Sequence, residues 1–176
     1  METNHNNTTM TTNTSEFHRL KNKWNLWAHL PQDPDWSVNS YEKIYQFQTV
    51  EEVVGITESL PPDLVKKCML FIMKDGINPM WEDKNNRDGG CFSYKVLNDD
   101  VFNVWKKLTY ILVGNSISTN STFVNSVNGI TVSPKKKFCI VKIWLSNCKQ
   151  QDPKLVTDET TLSPVGCLFK KHTPEF

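Results

Sequence analysis

The chain has 176 residues and a mass of 20.3 kDa, a one-domain length able to bury roughly two-thirds of the unfolded surface. Its 20 basic and 19 acidic residues leave a net charge of +1, which argues against a grip on duplex backbone by bulk positive charge, since that needs many phosphate neutralisations. No apolar run approaches the roughly 20 residues of a bilayer span, and the N-terminal METNHNNTTMTTNTSE has no signal-like apolar core, so no membrane contact and a cytoplasmic setting are expected. The 5 Cys show no C-x-x-C spacing, which favours reduced thiols over a zinc site or a disulfide framework. The count of 6 Trp is high for this length.

Residues 1–15 are Thr and Asn with no apolar period, so a disordered tail is expected there and a single folded unit over 16–176. Leu20–Trp27 alternates as a strand, with Leu20, Asn22, Trp24 and Leu26 on one face and Lys21, Lys23, Asn25 and Trp27 on the other. Pro31-Gln-Asp-Pro34-Asp-Trp36-Ser is turn chemistry and places Trp36 on a loop. A second strand follows at Tyr41–Phe47. Thr49 and Glu52 then form a capping box for a helix to about Ser59, stopped by Pro61-Pro62. Cys68–Lys74 reads as a buried strand with a turn at Asp75-Gly76. Trp81–Asp88 reads as a polar loop, and Gly89-Gly90 leads into a strand at Cys91–Val96.

Asn98 or Asp99 is expected to cap a second helix with Val101, Val104, Trp105, Leu108 and Leu112 on one stripe, ending near Gly114. Ile130–Val132 and Phe138–Leu145 read as strands joined by a Pro134-Lys135-Lys136-Lys137 turn. A short helix at Lys154–Thr160 and a last strand at Cys167–Lys170 complete the series. Strands in meanders with interspersed helices predict an α+β class with a mostly antiparallel sheet.

Trp24 and Trp105 fall on apolar faces and read as core. Trp36, Trp81 and Trp144 stand outside the helical stripes, and Asp-Pro-Asp-Trp36-Ser offers Trp36 no apolar neighbour in sequence. Aromatic rings on loops more often serve binding. Trp81-Glu82 sets a ring beside a carboxylate, a minimal reader for guanine, whose adjacent N1–H and N2–H donors one carboxylate can accept together. A merely solvated loop is the alternative. The lysines of the Pro134–Lys137 turn, with Lys142 two residues before Trp144, suit phosphate as point charges, or else form a solvated hairpin tip. There is no G-x-x-x-x-G-K-[ST], H-E-x-x-H or G-x-S-x-G, so no enzyme, catalytic residue, metal or cofactor is expected.

Lys74-Asp-Gly-Ile-Asn-Pro-Met-Trp-Glu-Asp-Lys-Asn-Asn-Arg-Asp-Gly-Gly90 closely resembles the cap-binding signature of the translation initiation factor 4E family. Trp24-Asn-Leu-Trp27 after His18, the Thr49-Val-Glu-Glu52 helix start and Lys142-Ile-Trp144 resemble it in the same order. The resemblance runs from His18 to Trp144 and fades after Asn147. It implies a curved antiparallel sheet backed by helices on its convex side, with the 5′ cap of mRNA held in the concave face. Trp36 and Trp81 would sandwich the 7-methylguanine, Glu82 would accept from N1 and N2, and Trp144 would meet the N7-methyl group. Lys135, Lys137 and Lys142 would be the candidates for the cap phosphates.

The resemblance also carries departures. Cys91 stands where a basic residue usually follows the Gly-Gly pair, Ile140 stands where Lys is common, and the C-terminal region is short. On the convex side the family binds a Tyr-x-x-x-x-Leu-apolar peptide through a Trp of the first helix, and Val54 occupies that position here. Val53, Ile56 and Leu60 should face the sheet, leaving Val50, Val54 and Thr57 outward. On the second helix Lys106, Lys107 and Tyr110 should point outward, with charge inverted relative to the family.

The expected partners are therefore capped mRNA, with 7-methyl-GTP or a cap analogue as ligand, and a scaffold-type translation protein that uses Val50, Val54, Lys106, Lys107 and Tyr110 in a non-standard way, an acidic motif being one form. The chain is expected to act as a monomer in translation initiation or its control. The alternative is a protein-interaction module or translational repressor of the same fold with altered or no cap binding.

Overall fold

The computed structural model describes residues 17–175; the expected tail at 1–15 lies outside them. Among these residues one seven-stranded curved sheet runs in the order β2-β1-β3-β5-β6-β4-β7. The strands are β1 (Arg19–His29), β2 (Tyr41–Thr49), β3 (Met69–Lys74), β4 (Gly90–Leu97), β5 (Val127–Pro134), β6 (Phe138–Leu145) and β7 (Leu168–Lys171). Every pairing is antiparallel, so the α+β expectation holds.

Side chains alternate across a strand, and here the two sets go to different places. One face supplies Trp24 and Leu26 of β1, Leu70 and Ile72 of β3, Ile130 and Val132 of β5, and Val141 and Ile143 of β6 to the main core. Among the described residues four α-helices belong to that core: α1 (Val50–Ser59), α2 (Pro62–Lys67), α3 (Val101–Val113) and α4 (Ser121–Ser126). Each contributes apolar side chains to it, among them Val53, Val65, Trp105, Leu108 and Phe123. Truncating one of its buried aromatics to alanine would cost about 3–5 kcal/mol. The opposite face bears a smaller cluster of Phe71, Met73 and Trp144, with Trp27, Tyr41, Met69, Ile77 and Trp81 packed against it. The expected split of β1 therefore places Trp24 in the main core and Trp27 on the second face.

The helix starts follow local chemistry. Thr49 Oγ1 accepts from Glu52 N, and the Glu52 carboxylate accepts from Thr49 N, closing the expected capping box. Pro61-Pro62 stops α1 as expected, but Pro62 also begins α2, because proline at a first helical position gives up only a donor that would be orphaned anyway. Asp100, rather than Asn98 or Asp99, occupies the α3 N-cap, and its own backbone is helical, so its side chain makes no cap bond. The six-residue α4, capped by Asn120 Oδ1 on Phe123 N at 3.0 Å, has no counterpart in the sequence reading, being too short to display a period. The expected helix at 154–160 is two 3₁₀ turns, Pro153–Leu155 and Asp158–Thr160, separated where Val156 is drawn into the core.

Thr57 corrects the expected outward face of α1. It is 2% exposed, and its hydroxyl donates to the Val53 carbonyl at 2.8 Å. The hydroxyl also lies 2.6 Å from that of Tyr110 on α3. Tyr110 further donates to Glu58 at 3.2 Å, and Lys106 forms an ion pair with the same carboxylate. Lys106 and Tyr110 thus tie α3 to α1 instead of standing free. Val50 and Val54 are exposed at 43% and 42%, and Lys107 is exposed. Among the described residues no helix is long and apolar enough to cross a membrane.

Candidate functional site: an aromatic cleft on the second sheet face

The second face opens into a cleft of about 720 Å³. Its lining brings together Trp36, Trp81, Glu82, Trp144, Lys135 and Lys142, which come from four separate stretches of the chain. Lys137, in the exposed turn between β5 and β6, is not among the lining residues.

Trp36 is held by the loop between β1 and β2. Asp33 accepts from Asp35 N at 2.9 Å, and Asp35 in turn accepts from Ser37 N at 2.7 Å and from its hydroxyl at 2.8 Å. These short acceptor turns are what Asp residues in a Pro-rich loop supply. Trp36 is 56% exposed and lies flat on His29, with ring centroids 4.2 Å apart and planes at 4°. His29 is buried, and its Nε2 donates to the Asp35 carbonyl at 2.8 Å. Tyr41 meets both Trp36 and Phe71 edge-on, and Phe71 meets Trp144, so the floor is one continuous aromatic relay. Burial first, then the Glu82 and Asp35 carboxylates, push the Tyr41 hydroxyl up to about 12, so it stays a neutral phenol at physiological pH.

Trp81 and Glu82 sit on the loop between β3 and β4, and that loop is wired throughout. Asp83 accepts from Asn78 N at 2.9 Å and from Asn85 N at 2.8 Å. Asn86, fully buried, donates to the carbonyls of Asn78 and Met80 at 2.9 Å each and accepts from Asn128 on β5. Adjacent carboxylates thus have different work. Asp83 is consumed in shaping the loop, and Glu82 is left on the cleft, where its one hydrogen bond among the described residues is a long 3.4 Å contact from the backbone N–H of Glu175.

Trp144 is 3% exposed, less accessible than a strand-end aromatic would suggest. Its indole N–H donates to Thr131 Oγ1 on β5 at 2.7 Å, which leaves it in the floor of the cleft.

Sequence reasoning passed over His172 as a residue near the chain end. The structure sets it, 6% exposed, directly after β7, with its Nδ1 donating to the Asn86 carbonyl at 2.6 Å. Its ring stacks on Trp81 with centroids 5.6 Å apart and tilts against Trp144 at 4.9 Å. Trp36 and Trp81 are therefore each backed by a buried histidine. Lys170 was also missed; its Nζ lies 5.2 Å from the Trp81 ring centroid. Nothing local to residues 168–172 signals this role, because strand pairing alone creates it.

Burial holds the His172 imidazole below its ordinary 6.5, the Asn86 carbonyl acting in the opposite sense. A depressed value in the fold favours the neutral ring. The stability it contributes is present above pH 6.5 and is lost as pH falls through the depressed value. The urea midpoint should therefore drop between pH 7 and pH 5 more in the native chain than in His172→Asn, whose amide can still donate to Asn86. Equal drops would show that His172 is not the titrating group.

Chemically, two indole rings, a carboxylate without an ion-pair partner among the described residues and a pair of lysines suit a flat cationic ring that carries phosphates. Comparisons with known proteins agree on the architecture. C. elegans eIF4E-3, solved in complex with the 4E-binding protein Mextli, superposes with a TM-score of 0.78 at 20% identity, over 89% of this chain and 94% of that one. Ascaris suum eIF4E-3, solved with the m7G cap, gives 0.77 at 22% identity, over 90% and 93%. The fold is thus that of the eIF4E structures. The sequence profile of eukaryotic initiation factor 4E matches residues 19–165. Eukaryotic translation initiation factor 4E of Candida albicans is 30% identical over 164 residues, 88% of this chain and 72% of its own length. The chain belongs to the eukaryotic initiation factor 4E family.

Proposed function

We propose that this chain binds the 7-methylguanosine cap of mRNA and acts in translation initiation or its control. The observation that carries the reading is the division of labour at Trp81-Glu82-Asp83. The loop is built by Asp83, so the Glu82 carboxylate faces the cleft beside an aromatic ring. In this reading Trp36 and Trp81 take the base between them, and Glu82 accepts from N1–H and N2–H. Trp144 bounds the floor near the N7-methyl group, and Lys135 and Lys142 face the phosphates. Methylation at N7 makes the base cationic, so each indole face gains a cation–π attraction that plain guanine lacks. The chain would work as a binding factor of the cytoplasm, not as an enzyme. Titration with 7-methyl-GTP should quench the tryptophan fluorescence at concentrations far below those of GTP. Equal binding of the two nucleotides would overturn the reading.

The convex face of α1 and α3 supports a scaffold-type partner with altered demands. Val54 offers little area to an aromatic anchor, and with Lys106 ion-paired to Glu58, Lys107 is the cation of that helix pair without an ion-pair partner among the described residues. A Tyr-x-x-x-x-Leu-apolar peptide should therefore bind more weakly than micromolar in calorimetry. Submicromolar binding with the cleft intact would show that the ordinary partner is retained.

A further inference from the structure

Beyond Trp81, the register of three strands decides which side chains share the sheet face of the cleft. Across β4, Cys91 lies opposite Lys170 of β7 on one side and Trp144 of β6 on the other. Ser93, two residues along, lies opposite Leu168 and Lys142 in the same way. Directly paired residues in an antiparallel sheet share a face, and so do residues two apart on one strand. Lys170, Cys91, Ser93 and Lys142 are therefore all on the face of Trp144, which is the cleft face.

Cys91, buried, and Ser93, half-buried, carry the small side chains of this row, with Sγ and Oγ 3.8 Å apart. Neither they nor Lys170 line the cleft itself, whose lining here is Trp81, Lys142 and Trp144, so they make a row of small side chains next to it. A lysine rises on either side of that row, from strands that flank β4 at about 4.8 Å each. Both ammonium groups act on the Cys91 thiol, opposing the upward push of its burial. Neither lysine belongs to an ion pair among the described residues. The carboxylates of Glu82 and Glu175 also line the cleft, and neither is paired with these lysines. Two unneutralised cations across a row of small side chains that includes the Ser93 hydroxyl, next to a stacking ring, fit a chain of phosphates that extends past Trp81 from the stacked base.

We propose that Lys170 is a phosphate-binding residue at the edge of this cleft, acting with Lys142 across the Cys91–Ser93 row to hold the di- or triphosphate of a ligand stacked on Trp81. This rests on the cap reading, and it gives the last strand a share in ligand binding. Lys170 meets the phosphates from the side opposite β6, so affinity should depend on the number of phosphates through it.

The test compares the native chain, Lys170→Ala, Lys170→Arg and Lys171→Ala, titrated with 7-methyl-GTP, 7-methyl-GMP and 7-methylguanosine by tryptophan quenching. Lys171, the next residue, alternates to the other face and serves as the control. Lys170→Ala should weaken 7-methyl-GTP at least fivefold while changing 7-methylguanosine less than twofold. Lys170→Arg should stay close to native, and Lys171→Ala should be unchanged. Native affinity for 7-methyl-GTP in Lys170→Ala would overturn the proposal and leave the cap reading standing. So would an equal loss for the bare nucleoside, which would reduce Lys170 to a support for Trp81. A native chain that does not distinguish 7-methyl-GTP from GTP would remove the cap reading, and this assignment with it.

Discussion

Trp81→Ala should lower the affinity for 7-methyl-GTP by at least tenfold, and Glu82→Gln should do the same. A base stacked on an aromatic side chain is worth about 1–3 kcal/mol by alanine substitution, and 1.4 kcal/mol is already a decade. Trp81 is backed by the buried His172 ring, so its indole is preorganised and little of the stacking is spent on ordering it. Trp36 lies in a more exposed loop and rests on His29. Its replacement should also cost about a decade, with some of the gain from stacking offset by ordering that loop. For Glu82 the argument is one of acceptor capacity. A carboxylate offers two acceptor oxygens to N1–H and N2–H, whereas an amide turns one of them into a donor. Hydrogen bonds to a charged group are worth about 1.5–3 kcal/mol. Fluorescence titration of both variants decides the matter; an unchanged constant in either would remove that residue from the site.

The second large effect is structural. A Cβ added at Gly89 would fall 1.8 Å from the Leu145 carbonyl oxygen and 2.9 Å from its carbon. No side chain can occupy that space, so Gly89→Ala must drive the start of β4 away from the end of β6. Overpacking typically costs 1–3 kcal/mol and sometimes more. Here the obstacle is backbone that cannot swing aside, and a loss of about 3 kcal/mol or more in urea unfolding is expected. The carbonyl of Gly89 also accepts from the backbone N–H of His172 at 3.0 Å, so the cleft should suffer with the fold. Gly55, midway along α1, is the contrasting case, with nothing within 4 Å of an added Cβ. Gly55→Ala should gain about 0.5–1 kcal/mol from helix propensity alone. If Gly89→Ala proved as stable as the native chain, the close approach of β4 and β6 described above would be wrong.

What could be read in advance was what is local. The capping box at Thr49 and Glu52, the apolar stripe of α3 and the turn around Trp36 each declare themselves within a few residues, and all appear in the fold. Trp81-Glu82 was legible for the same reason, since ring and carboxylate adjoin in sequence. The choice between Glu82 and Asp83 could be made on resemblance, but its cause is tertiary: Asp83 is used up by Asn78 and Asn85. Thr57 misled because setting Val53, Ile56 and Leu60 against the sheet left it on the outward side, whereas here α3 covers it, its hydroxyl meeting Tyr110 and returning to its own helix at Val53. His172 and Lys170 were invisible because they come to the Trp81 ring only through the register of β7 on β4. A strand of four residues with one exposed Leu gives no periodic signal of its destination.

That short strand also has a temporal meaning. Among the described residues β7 is paired along one side, through four register positions, and it lies at the edge of the sheet. Edge segments with few ladder bonds open at far smaller free energies than central strands. Amide exchange should therefore release β7 before β5, with Trp81 losing its histidine backing each time the edge lifts. During synthesis the same strand leaves the ribosome after the other six, and long after the Trp36 and Trp81 loops have been made. A nascent chain can assemble most of its sheet and still lack the histidine behind Trp81 until β7 docks.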